Sequence, residues 1–270
     1  MEVEAAESFR AGYLQFSPVF GDISGNLEKV VRALSGVCAD LIVLPELPFT
    51  GYGFTDRKEL LALAREPEES PVVARLVELC RGGGMHMVTG FAERAGDRCY
   101  NSSLLLAPSG IVARYRKLHL FDREKLYFDE GDLPLSVHPI PGARLGMMVC
   151  FDWIFPEVAR TLALLGADIL CHPANLVLDH CQRAMVTRCT ENMVFSLTAN
   201  RTGTERRPFG NIRFTGRSRI AAPEGEVVHT SGEKVEEVFV AELDINRARD
   251  KRITPRNHVL RDRRPDLYFE

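Results

Sequence analysis

The sequence predicts an α/β fold in which sheet is covered by helix, with two packed sheets in preference to one open sheet. Three observations predict it. Apolar strand-like runs alternate with helical patterns through the first two thirds of the chain, hairpin-like pairs are inserted among them, and strands outnumber helices. No composition shift, low-complexity linker or short-period repeat divides the 270 residues. They read as one domain, 1–270, in which 244–270 is a strongly charged C-terminal tail.

The elements follow in order. Residues 10–17 (RAGYLQFS) read as a strand closed by Pro18, and 26–37 as a helix with Leu27, Val30, Val31 and Leu34 on one face. The run 39–46 (ADLIVLPE) is almost wholly apolar, the mark of a strand covered on both faces, and leaves Glu46 at its C-terminal end. A loop rich in glycine and aromatics, 49–54, precedes helical patterns over 58–64 and 71–80. Strands are expected over 85–92 and 101–107, the latter turning at 108–110 into a return through 111–115. The stretch 117–132, dense in charge and aromatics, is the least regular of the first half. Residues 145–149 form a short apolar run after the turn signal Pro141-Gly142. The period then changes. Pro156 and Glu157 suit a first helical turn, and Val158, Leu162 and Leu165 recur at helical spacing up to Gly166. Beyond it come a strand at 167–172, a helix at 182–193 and strands at 194–199 and 218–222. A turn at 223–225 leads to Val227-Val228, and the last strand is expected at 237–243.

Composition narrows the function classes. Apolar residues make up 45% of the chain, mean hydropathy is −0.09, and net charge is −3 with a pI near 6.2. With no basic block, nothing points to nucleic acid or an anionic membrane. No apolar run approaches the length of a bilayer span. The first seven residues (MEVEAAE) are acidic and lack the apolar core of a secretion signal. Seven cysteines, odd in number and scattered through apolar runs, are cytosolic usage and not a disulfide framework. The pairs Cys171-His172 and His180-Cys181 lack the spacing of a zinc site, so no metal is expected.

Cys150 falls on the strand-to-helix turn after 145–149. That position frees a side chain beside backbone N–H groups and suits a nucleophile with an oxyanion hole. Taken alone, Cys150 reads first as an ordinary buried cysteine. A thiol of pKa near 8.5 needs a base to act. His119 and His172 lie near irregular segments, but neither belongs to a recognisable Cys–His signature. Carboxylate plus lysine is the other solution. Glu46 emerges from the C-terminal end of a buried strand, where α/β proteins place their sites. Lys117 sits in an apolar setting (YRKLHLF) in which its head needs a partner, and Glu124 follows seven positions on. Alone, Glu46 reads equally as a solvated turn residue, Lys117 more readily as a lysine whose stem packs and whose head reaches water, and Glu124 as surface charge.

Together, three segments resemble the nitrilase superfamily of carbon–nitrogen hydrolases. They are Leu44-Pro45-Glu46, Tyr115-Arg116-Lys117-Leu118-His119-Leu120-Phe121 and Cys150-Phe151-Asp152-Trp153-Ile154-Phe155-Pro156-Glu157, followed by His172-Pro173-Ala174-Asn175. The resemblance runs from Arg10 to the C-terminus. It implies a four-layer α-β-β-α sandwich and a triad of Glu46 as base, Lys117 as cation and Cys150 as nucleophile. The N–H of Phe151 would join Lys117 in the oxyanion hole. A second active-site glutamate maps to Glu124, with Glu130 as its rival. The resemblance implies no cofactor, a homodimer or higher homo-oligomer, and a tail that packs on a neighbouring subunit.

Apolar Trp153-Ile154 follows the nucleophile where relatives with charged substrates tend to carry arginine. Tyr52, Phe54, Trp153 and Asn175 are the candidate substrate-binding residues, and core packing is the competing reading for the aromatics. A small uncharged aliphatic nitrile is the expected substrate. An amide or N-carbamoyl amine stays open on the same residues, with Arg201, Arg206 or Arg207 able to supply a carboxylate contact. A catalytically silent binding module is the reading of another class.

Overall fold

The computed structural model describes residues 8–268; the acidic segment 1–7, on which the secretion-signal reading fell, and Phe269 and Glu270 lie outside the described residues. The first half runs β1 (Phe9–Gln15), α1 (Ile23–Leu34), β2 (Leu41–Val43), α2 (Arg57–Leu63), α3 (Pro71–Gly83), β3 (His86–Ala95), β4 (Arg98–Ala107) and β5 (Gly110–Arg116). Then come β6 (Val137–Ile140), β7 (Ala143–Met147), α4 (Pro156–Leu164), β8 (Ile169–Ala174), α5 (Cys181–Asn192) and β9 (Phe195–Asn200). The ribbon β10 (Thr204–Arg207) and β11 (Gly210–Arg213) precedes β12 (Arg219–Ala221), β13 (Val227–Thr230) and β14 (Glu237–Leu243). The chain closes with α6 (Asn246–Arg249), β15 (Arg252–Thr254) and β16 (Asn257–His258).

Two six-stranded sheets form, in the orders β14-β1-β2-β3-β4-β5 and β13-β12-β9-β8-β7-β6. Each has a parallel centre, β1-β2-β3 in one and β7-β8-β9 in the other, with antiparallel strands outside. Strand alternation decides what faces what. Ala11, Tyr13, Leu41, Val43, Val88 and Leu105 pack in one cluster with Leu145, Met147, Ile169, Cys171 and Leu197, which joins the sheets face to face. The alternate residues Leu14, Ile42, Leu44, Met87 and Leu104 instead meet Val30, Leu34, Val73 and Leu76 of α1 and α3. On the other side α4 lies so close to β7 that a Cβ at Gly146 would come within 3.1 Å of Leu162. The result is the expected α-β-β-α order.

Several boundaries differ from the periodicity. The apolar run at 39–46 yields only three ladder residues, because Pro45 lacks an N–H and Leu47 turns the chain at φ +46°. The edge strand β6 was not expected, since Pro139 interrupts it; an edge position tolerates the missing donor. Neither was the ribbon β10–β11, whose charged residues and Pro-Phe-Gly turn read as loop. The strand at 237–243 is not the last, for β15 and β16 pair in the tail. The tail is bound to its own chain at several points: Arg247 pairs with Glu224 and Glu226, and Arg249 donates to the Gly142 carbonyl (3.0 Å). Lys251 Nζ donates to the carbonyls of Asn192 (3.1 Å) and Met193 (2.6 Å) at the end of α5, and burial pulls its pKa down to about 8.

Candidate active site

Glu46, Lys117, Cys150 and Asn175 each follow the C-terminal end of a strand: β2, β5, β7 and β8 respectively. Those ends converge at one mouth of the sheet–sheet interface, where an α/β protein has loops free to carry chemistry. The backbone bends hardest there. Leu47 follows Glu46, Asp122 opens the turn that carries Glu124, and Cys150 itself has φ +42°, all in the left-handed region.

The Cys150 elbow is a 3-10 turn, Cys150–Ile154, held by Asp152. The buried Asp152 carboxylate accepts Val149 N–H (2.8 Å), Tyr115 O–H (2.7 Å) and the ring Nδ1 of His119 (2.8 Å). It therefore ties the Cys150 turn to both flanks of Lys117. His119 lies stacked on Phe155 at 3.7 Å and acts as part of that brace. His172 bonds the Cys150 carbonyl (2.9 Å) through Nε2 and Thr198 Oγ1 (3.0 Å) through Nδ1. Burial holds its pKa below the usual value, so it is neutral and donates to that carbonyl. Neither histidine is placed as a base for the thiol. Asp152→Ala is expected to lower stability by about 1–3 kcal/mol, because the buried Val149 N–H and Tyr115 O–H and the half-buried His119 ring lose their acceptor. Urea unfolding measures that loss, and activity should fall with it as the elbow loosens.

Lys117 is fully enclosed. Its Nζ lies 2.8 Å from Glu46 Oε1 and 2.8 Å from Glu124 Oε1, and none of the three side chains meets solvent. Glu124 sits in a 3-10 turn, Asp122–Leu126, where its Oε2 also accepts Phe121 N–H (3.2 Å). Glu130 is exposed, so the glutamate at Lys117 is Glu124. Burial pushes the Glu124 carboxyl up to about 7, against the pull of Lys117. Burial likewise opposes the Lys117 charge, but Glu124 and Glu46 outweigh it and hold its pKa well above the ordinary value. We take Lys117 as protonated, since its two carboxylate contacts are short and direct. Burial, with Glu46 adding to it and Lys117 opposing, keeps the Cys150 thiol protonated in the free protein.

Two residues unforeseen in the sequence complete the cluster. Asn101 on β4 donates from Nδ2 to Glu46 Oε1 at 2.6 Å. Gly90 on β3 lets the Glu46 backbone lie against it, for a Cβ there would fall 2.6 Å from Glu46 Cα. The polar run Asn101-Ser102-Ser103 inside an otherwise apolar strand was a visible signal for Asn101. A glycine within a strand is a weaker one.

The aromatic candidates divide. Trp153 and Asn175 line a cavity of about 20 Å³ at Cys150 together with Phe121, Phe151, Leu176, Val177 and Leu178. Both side-chain polar atoms of Asn175 are buried without a partner. Tyr52 lines an adjoining cavity of about 300 Å³ that shares Phe121 and Val177 and is walled by Phe209, Asn211 and Ile212 of the ribbon region. Phe54 does not reach either cavity. It packs edge-on against Phe20, Tyr127 and Phe128 at 5.4–5.8 Å, so its role is core. The arginines also differ from expectation. Arg201 is buried against Glu205 and Pro18, Arg207 is held by Glu59 and the Gly53 carbonyl, and Arg206 is exposed. Glu205 in turn accepts the N–H groups of Tyr52 (3.0 Å) and Gly53 (2.8 Å), which fixes the Tyr52 loop. A cavity of about 320 Å³ lies beyond the Glu46 loop, lined by Leu47, Phe49 and Phe91. It contains none of the clustered polar groups, so chemistry selects the smaller cavity at Cys150.

A buried carboxylate–lysine–carboxylate cluster thus lies beside an elbow cysteine. The sequence model of the carbon-nitrogen hydrolase family matches residues 10–253, and the chain belongs to that family, within the nitrilase superfamily. A nitrilase of Pyrococcus abyssi is 43% identical over 263 residues, 96% of this chain and 99% of its own. An N-carbamoylputrescine amidase of Solanum lycopersicum is 35% identical, covering 92% of this chain and 89% of its own. Among solved structures, a carbon-nitrogen hydrolase from Helicobacter pylori G27 superposes with a TM-score of 0.88 at 28% identity, covering 97% of each chain.

Proposed function

We propose that this carbon–nitrogen hydrolase cleaves small uncharged aliphatic nitriles to the acid and ammonia, with Cys150 as nucleophile. The observation that carries the reading is the fully buried Glu46–Lys117–Glu124 cluster, with Lys117 2.8 Å from each carboxylate, within electrostatic reach of Cys150. Support for a nitrile comes from the narrow apolar cavity at the sulfur, which suits a slim linear group, and from the 43% identical nitrilase.

The chemistry follows from the charges. Sγ attacks the nitrile carbon while Glu46 takes the thiol proton and returns it to nitrogen, forming a thioimidate. Lys117 and the Phe151 N–H stabilise the negative charge that builds on the former nitrile nitrogen, and later on oxygen. Water adds, ammonia leaves, and a thioester remains. A second water, deprotonated by Glu46, releases the acid and restores the thiol. Glu124 holds Lys117 in place, while Trp153 and Asn175 contact the substrate and Tyr52 borders its outer end. The same steps with one water fewer hydrolyse an amide. A second reading as an amidase of carbamoyl amines is favoured by the wider outer cavity, which would take a longer tail, and by the 35% identical amidase.

The reading includes one catalytic domain acting as a homodimer or higher oligomer. Exposed Ile154, Leu164 and Leu165 at α4, with Ile253, Leu267 and Tyr268 in the tail, would supply apolar contacts to a neighbouring subunit. Free cysteines at all seven positions fit the reducing cytoplasm.

Ammonia release from aliphatic mono- and dinitriles, the matching amides and N-carbamoyl amines tests the function, with Cys150→Ala as control. Release from nitriles that disappears in Cys150→Ala is the expected result. Turnover of amides alone would replace the nitrilase reading with the amidase one. Release that persists without Cys150 would overturn the mechanism.

A further inference from the structure

We propose that Asn101 is a positioning residue that divides the labour of the two Glu46 oxygens and so decides which of them acts as base. This rests on the reading of Glu46 as the base. Asn101 Nδ2 donates to Glu46 Oε1 at 2.6 Å, and Lys117 Nζ reaches the same oxygen at 2.8 Å. The amide orientation is dictated by chemistry, because an ionised carboxylate only accepts. Oε2 is buried and has no partner. Two donors thus occupy one oxygen and leave the other as the one free to receive a proton.

The same residue also sets the cation. Asn101 lies on β4, and its backbone carbonyl accepts the Lys117 N–H at 2.8 Å, one step beyond the β5 ladder. A single residue therefore holds Glu46 by its side chain and Lys117 by its main chain. The side-chain substitution removes the first hold and leaves the second, so the two can be separated. Without the amide, Glu46 can rotate about its terminal bond and present either oxygen to Lys117. The base then loses its fixed aim at the thiol and at the attacking water.

The test uses full-length Asn101→Leu, Asn101→Asp and, as a control, Ser103→Ala. Ser103 occupies the same face of β4 two residues on, and its hydroxyl donates to Met147 Sδ at 3.6 Å. Active sites are counted by alkylation of Cys150, so that misfolded protein is excluded from the rate. Asn101→Leu is expected to lower kcat per site about 10²-fold with KM unchanged, the loss that a misaimed catalytic group produces. Asn101→Asp can donate to Glu46 only while the two carboxyls share a proton, so its residual kcat should rise as pH falls. A strand merely loosened would keep the wild-type profile shape at reduced amplitude. Ser103→Ala should retain kcat. Unchanged kcat in Asn101→Leu, or an equal fall in Ser103→Ala, would overturn the proposal. If wild type hydrolyses no compound in the panel, the substrate reading fails by itself. The rate of Cys150 alkylation by iodoacetamide, which also needs a base, then reads the Asn101 effect: slower in Asn101→Leu supports it, and equal rates overturn it.

Discussion

Lys117→Met is expected to abolish measurable hydrolysis and to destabilise the fold by about 3–5 kcal/mol, the cost of stripping the partner from buried charge. Lys117 lies between Glu46 and Glu124 with no solvent contact, so its removal leaves two carboxylates facing each other in a dry site. One of them must then bind a proton. If that is Glu46, the proposed base is lost; in either case the cation proposed to offset charge in the tetrahedral state is gone, which alone is worth about 10²–10³-fold. The pH dependence gives a sign that can be checked. Lys117 has a folded pKa raised above its ordinary 10.5, so its contribution is complete below that value and is lost only as pH climbs past it. Wild type should therefore keep this contribution from neutral to mildly alkaline pH. The variant, with unpartnered carboxyls, should gain stability as pH falls towards acid. Urea midpoints across pH measure both, and a variant as stable as wild type at pH 8 would contradict the buried charge cluster.

Gly90→Ala should be nearly as damaging, although Gly90 carries no chemistry. A Cβ there would lie 2.5 Å from Leu47 N, 2.6 Å from Glu46 Cα and 2.7 Å from Pro45 O. All three are backbone atoms with no rotamer to yield, so the Glu46 turn must move. If Glu46 is the base proposed above, a displacement approaching 1 Å costs about 10²-fold in rate. Overpacking of this kind costs about 1–3 kcal/mol in stability. Gly82→Ala is the comparison, because a Cβ there, on α3, meets nothing within 4 Å and should stabilise the helix slightly. Thermal midpoints and kcat for the pair separate the effect of a contact from that of losing a glycine. Equal behaviour of the two variants would show that Gly90 is not what lets Glu46 approach.

These residues show where sequence reasoning succeeded and where it stopped. Cys150 was legible because a change of period marks its turn, with Pro156 and Glu157 opening the next helix. Glu46 and Lys117, each readable alone as a solvated charge, stood out only when their segments were read together with that of Cys150 as a resemblance to the nitrilase superfamily. Phe54 was misread because an aromatic residue in a Gly-rich loop looks the same in sequence whether it lines a cavity or fills a core. The ribbon β10–β11 was missed because its charged residues answer to neighbours far along the chain, such as Glu59 for Arg207 and the Tyr52 loop for Glu205.

The sequence by itself determined the alternation of strand and helix, the two-sheet α/β class and the three short segments on which the proposed chemistry depends. Those follow from local periodicity and turn chemistry, which act over a few residues. Only the tertiary structure decided that Glu124 and not Glu130 meets Lys117, that Asn101 holds one oxygen of Glu46, and that His119 and His172 brace the elbow without facing the thiol. The physical reason is distance along the chain. Glu46 and Asn101 stand 55 residues apart in sequence, and their contact exists only because β3 and β4 pair beside β2 in one sheet.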